Sequence, residues 1–191
     1  MAATAQDLML RHRHRYTVDD YYRMADAGIL SPDARVELID GEVMEIPPIG
    51  PPHASMVTEL QNRLIRAVGE AAVVRVQLPV RLGPYDEPEP DLAVVTPPLA
   101  KHRTRHPKPA DILLLIVVGD SSLPLDRDVK LARYAACGIT EAWLVDANAG
   151  TVLRCREPDA EGYRRADAIH GQCDIQIPGL PGCTLDLRHL H

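Results

Sequence analysis

Glu89-Pro90-Asp91-Leu92-Ala93-Val94-Val95 and Ile112-Leu113-Leu114-Leu115-Ile116-Val117-Val118-Gly119-Asp120-Ser121-Ser122 are the segments whose reading decides the fold. Each carries an apolar run of strand length, and a run without polar alternation belongs to a buried strand. A basic, proline-bearing loop (101–108) separates them. After them, Asp126-Arg127-Asp128-Val129-Lys130 opens a helical pattern that continues through Leu131, Tyr134 and Ala135 to Cys137 and stops at Gly138. Glu141-Ala142-Trp143-Leu144-Val145-Asp146 reads as another strand. Residues 112–146 therefore form a strand-helix-strand unit.

Upstream, Thr17 can cap a helix that begins at Val18-Asp19-Asp20 and stops near Gly28. The segment from Arg35 to Ile46 alternates as two strands around Asp40-Gly41, a strong hairpin signal. The prolines from Pro47 to Pro52 make a stiff connection. Met56, Val57, Leu60, Leu64, Ile65 and Val68 then recur at helical spacing, which predicts an amphipathic helix over 53–71. Residues 73–82 read as a strand and 83–88 as a turn. Beyond Asp146 come a turn at Asn148-Ala149-Gly150, a strand over 151–154, and short strand candidates ending near Leu187. The fold class is α+β (mixed α/β): a central mixed sheet flanked by helices, with an N-terminal helix and β-hairpin. A flexible basic tail (1–15) precedes a single domain (16–191).

At 191 residues, 46% hydrophobic and 25% charged, the chain has the size and balance of one globular domain. Its longest apolar run has strand length, far short of a membrane span of ~20 residues. Charges follow rather than precede the mildly apolar N-terminus, so no secretory signal is read and the expected compartment is the cytoplasm. Cys137, Cys155, Cys173 and Cys183 are scattered without a Cys-x-x-Cys pair, which favours reduced thiols over disulfides or structural zinc. A net charge of −6 opposes broad attraction to nucleic acid but not a local basic cleft. The basic clusters at 11–15 and 101–108 read first as a solvated tail and a solvated loop.

An acid at the start of one buried strand, a second buried strand beside it and a lysine on the next helix suit metal-dependent phosphodiester hydrolysis. Hard divalent cations take carboxylate oxygens, and a nearby lysine orients the attacking water and offsets developing charge. Asp91 is placed for the ligand role, because Pro90 cannot donate to a ladder and marks the strand start.

The ordered motifs extend this plan: Arg35 to Glu42, His53, Glu89-Pro90-Asp91-Leu92, Gly119 to Ser122, Lys130 to Ala135, and Glu141 to Asp146. In that order the chain resembles, over about residues 16–185, the bacterial "putative restriction endonuclease" family of the PD-(D/E)xK nuclease superfamily. The resemblance implies a restriction-endonuclease-like core and Mg²⁺- or Mn²⁺-dependent cleavage of DNA. It implies Asp91 as metal ligand, Lys130 as the lysine moved from strand to helix, and Glu37 and His53 as polar groups of the catalytic site. The second ligand should be a glutamate where this chain has Val117. Such a replacement removes both charge and ligand atoms, so metal affinity and rate should fall by orders of magnitude.

Glu37, Glu89 and Asp120 are candidate replacements for the lost ligand. On a regular strand Val117 and Gly119 share one face and Val118 and Asp120 the other, so Asp120 reaches Asp91 only through a bulge or turn. Glu89 shares the Asp91 face if that strand starts early. Apart from the resemblance, His53 reads equally as a cap or surface residue, Lys130 as the i,i+4 partner of Asp126, and Trp143 and Tyr134 as core. Three functions stay open: an endonuclease (a hydrolase acting on ester bonds) with an incomplete metal site, a weakened or inactive DNA-binding or dimerising relative, and a protein acting on something other than DNA. A homodimer would suit cutting both strands of a two-fold duplex.

Overall fold

The computed structural model describes residues 13–119, 124–169, 174–188 and 190, without the side chains of 124–128. Its centre is a six-stranded sheet in the order β3-β4-β5-β6-β7-β8. The strands are β3 (Val73–Val76), β4 (Leu92–Val95), β5 (Ile112–Gly119), β6 (Glu141–Asp146), β7 (Val152–Asp159) and β8 (Gly162–Ile169). Only β5 and β6 pair in parallel, across the crossover helix α3 (Pro124–Ala136); the other neighbours are antiparallel. The expected mixed sheet with helices on its faces is thus present.

Alternation along β5 sorts the core into two layers. Leu114, Ile116 and Val118 pack with Met56, Leu60 and Leu64 of α2 (Pro51–Val68), and the ribbon β9 (Asp174–Gln176) with β10 (Thr184–Asp186) closes that side. Leu115 and Val117 pack with Tyr134 of α3 and Ile139 on the opposite face. Both faces of β5 are covered, which is why its sequence lacks polar alternation. Trp143 and Tyr134 are fully buried, as the core reading expected.

The N-terminal layer follows the local signals closely. Thr17 caps α1 (Val18–Asp26) in a reciprocal capping box with Asp20. Asp40 and Gly41, at φ 51° and 78°, make the two-residue turn between β1 (Val36–Ile39) and β2 (Glu42–Glu45). Arg13 and Arg15 lie against this hairpin through ion pairs with Glu42 and Asp40; residues 1–12 lie outside the description.

Three expectations need correction. First, α2 begins at Pro51 rather than His53, because Pro51 and Pro52 occupy its first turn, where a missing N–H costs nothing. Second, β3 ends at Val76 rather than Leu82. Gln77 turns into the left-handed region (φ 47°), and the N–H groups of Val80 and Leu82 bond to Pro88 and Asp86 carbonyls. Third, the basic loop is not merely solvated: Lys101 and Arg105 hold the buried Asp111 at 2.5 and 2.6 Å. A buried carboxylate without such partners would be costly.

Cys137 and Cys183 are free thiols, Cys155 is buried, and Cys173 lies outside the described residues. Among the described residues no helix is long and apolar enough to cross a membrane.

Candidate active site

The site forms where the start of β4 meets the end of β5 under the N-terminus of α2. The antiparallel register pairs Leu92 with Ile116, so one step back sets Asp91 across from Val117. Asp91 Oδ2 accepts the Val118 backbone N–H at 2.8 Å, and its backbone carbonyl accepts the Gln77 N–H at 3.0 Å. His53, in the first turn of α2, places Nε2 2.8 Å from Asp91 Oδ1. Both oxygens of Asp91 therefore already have hydrogen-bond partners.

A second pair locks the other side. Lys130 of α3 reaches back with Nζ 2.7 Å from Glu37 Oε1 on β1, and Glu37 Oε2 accepts the Glu89 N–H at 2.9 Å. This one carboxylate thus ties the hairpin, the start of the Asp91 segment and α3 together. Glu37 is 2% exposed and Lys130 8%. Burial, and then the neighbouring Glu37 carboxylate, push the Glu89 carboxyl above the ordinary glutamate range, with Lys130 and Arg35 partly offsetting this.

These groups border a cavity of about 340 Å³. Asp91, Glu89, His53 and Lys130 line it, as does Val117; Glu37 sits behind Lys130. The sequence-derived candidates are therefore brought to one place, except Asp120, which lies outside the described residues together with the side chain of Asp126. Sequence reasoning missed two features. The segment Ile46-Pro47-Pro48-Ile49 forms an apolar wall of the cavity, and Gln77 lines it as well. The proline run was visible in the sequence, but neither the turn at Gln77 nor the convergence of both on Asp91 was.

A hard cation needs convergent oxygen ligands, commonly one or two carboxylates besides water and phosphate. Asp91 and Glu89 both bring carboxylates to the cavity, but the described side chains do not gather them into a ligand set. The position across from Asp91 carries the methyl groups of Val117, and Asp91 itself is engaged by His53 and Val118. Among the described residues no group of three or more His, Cys, Asp or Glu side chains is gathered for a metal ion. What the arrangement does supply is a held ammonium group, an oriented imidazole and a small, largely apolar enclosure.

The model of the Uma2 family, described as "putative restriction endonuclease", matches residues 18–188. Among solved structures, the chain is similar to a "putative nuclease belonging to DUF820" from Anabaena variabilis, with a TM-score of 0.63 and 14% identity. That alignment covers 91% of this chain and 96% of the other, and at this identity it establishes the fold. No match was found among curated proteins.

Proposed function

Since the chain belongs to the Uma2 family of putative restriction endonucleases, we propose that its cavity is a DNA phosphodiester site in which hydrolysis is disabled. The protein would then serve as a non-catalytic, DNA-binding member of a nuclease family. The observation that carries this reading is that Val117 lines the cavity together with Asp91, one step beyond the Leu92–Ile116 pair. In a phosphodiesterase, Mg²⁺ or Mn²⁺ would polarise the phosphoryl oxygen and generate the nucleophile. A valine there offers no ligand atom, so affinity for either ion should be lost.

The remaining residues keep roles independent of a metal. Glu37 holds the Lys130 ammonium beside the cavity, where it can face a phosphate. Asp91 fixes the ring of His53 through Nε2. DNA contact on this reading is local and salt-dependent, because the net charge of −6 gives no general attraction.

The test is a calorimetric titration of Mg²⁺ and Mn²⁺ into the natural chain, Val117→Glu, and Val117→Glu combined with Asp91→Ala, alongside a plasmid-nicking assay. We expect saturable metal binding and nicking only in Val117→Glu, with both lost again in the double variant. Metal binding and Asp91-dependent nicking by the natural chain would overturn the proposal, since another carboxylate would then have replaced the lost ligand.

A further inference from the structure

The valine that removes a ligand also changes what the cavity can hold. Val117 joins Ile46, Pro47, Pro48 and Ile49 in the lining, which makes much of it apolar. Prolines hold such a wall without flexibility. At about 340 Å³ the enclosure lies at the small end of ligand cavities, ~300–1,000 Å³. A duplex meets protein as a broad convex rod, whereas a small, flat-walled pocket takes one base swung out of its stack.

Two polar side chains in the lining have no hydrogen-bond partner among the described residues: the Gln77 amide and the Glu89 carboxyl. Gln77 is held at φ 47°, a conformation that non-glycine residues rarely adopt. Backbone strain of this kind gathers at ligand sites, where the surrounding structure enforces a useful side-chain position. An amide offers one donor face and one acceptor, and a carboxyl beside it adds acceptors, or a donor when protonated. Arg35, exposed and also in the lining, offers a cation to a phosphate left outside.

We infer that the cavity binds a single unpaired nucleobase, its faces against the proline wall and its hydrogen-bonding edge read by Gln77 and Glu89. The inference rests on the reading that the site is a nucleic-acid site without its metal. The base belongs either to a single strand or to a free mononucleotide; the chemistry of recognition is the same.

The experiment is fluorescence anisotropy in the presence of EDTA, with a labelled single-stranded oligodeoxynucleotide of mixed sequence. Competitors are the unlabelled strand, its duplex, and the four deoxynucleoside monophosphates. The single strand should compete at least tenfold better than the duplex. Competition by a monophosphate assigns free nucleotides as a ligand, and competition by the strand alone assigns a base within a strand. Gln77→Gly should weaken binding at least tenfold while its Tm stays level or rises, because glycine accepts this φ without strain. A purely structural glutamine would instead lose stability and leave binding unchanged. Equal binding of strand and duplex, or undiminished binding by folded Gln77→Gly, overturns the inference. Metal binding gained by Val117→Glu in the same preparation separates that failure from failure of the disabled-site reading.

Discussion

Replacing Lys130 by methionine isolates the most buried electrostatic contact of the site. Methionine keeps the length and packing of the lysine stem but removes the ammonium. The partner left behind is Glu37, whose side chain is 2% exposed and, among the described residues, retains only the Glu89 N–H. Breaking a buried pair by removing one partner costs about 3–5 kcal/mol, because the survivor is an uncompensated charge. For a chain of this length that is a fall in Tm of roughly 6–20 °C. The reverse substitution, Glu37→Gln, should cost less. Lys130 is 10% exposed in its side chain and borders the cavity, so its ammonium can turn toward solvent there. The double variant, Lys130→Met with Glu37→Gln, should recover much of the loss, since no charge remains to be buried. Urea unfolding of the four proteins at pH 7 gives the coupling through a double-mutant cycle. A loss below about 1 kcal/mol for Lys130→Met would place the pair with screened surface bridges. The account of Glu37 as the tie between hairpin and helix would then be wrong.

Other outcomes follow from single contacts. Gly150 stands at φ 62°, and a Cβ there would lie 2.1 Å from the Leu190 carbonyl oxygen. Gly150→Ala should therefore destabilise by more than about 1 kcal/mol, the ordinary size of a strain effect at such positions, read as a lower urea midpoint; an unchanged midpoint would mean that the Leu190 contact yields freely. The Arg105 guanidinium, with Lys101 and the Lys108 N–H, holds the Asp111 carboxyl well below the usual aspartate range. Its folded pKa is depressed, so its contribution is complete above the unfolded value of about 4 and fades as pH falls below it. Asp111→Asn should be less stable than the natural chain at pH 7, with the gap closing as pH drops below 4. A gap that stays constant down to pH 2 would contradict that assignment.

Much of the fold is legible in the sequence because it follows from chemistry a few residues wide. Thr17 caps a helix, Asp40-Gly41 accepts two positive φ angles, and Glu141–Asp146 pairs as the strand that its composition suggests. What escaped depends on partners far apart in the chain. Val80 and Leu82 are buried, as apolar residues should be, yet their N–H groups bond outside the sheet ladder because Gln77 has already turned the chain. Lys101 and Arg105 resemble solvent-facing charges until Asp111 folds beneath them. Glu37 alternates as a strand residue, and nothing near it in sequence reveals that Lys130 of a later helix neutralises it.

The same distinction governs the site. Asp91 and Val117 are named by position in the sequence, but that they face each other is a property of the β4–β5 register. A register slip of one residue would set Asp91 across from Ile116 or Val118 and turn Val117 from the α3 layer to the α2 layer. Both layers are packed, with Leu115 and Val117 on one side and Ile116 and Val118 on the other, so the register is fixed by core packing rather than by the site. Core and site consequently meet at Val117, which belongs to the packed layer and also lines the cavity. Valine at 117 sets an apolar residue within an apolar layer. A glutamate at this position would keep the β5 ladder and reach the cavity bordered by Lys130, but it sets a carboxylate where Val117 is only 7% exposed, so the Tm of Val117→Glu has to be read beside its chemistry.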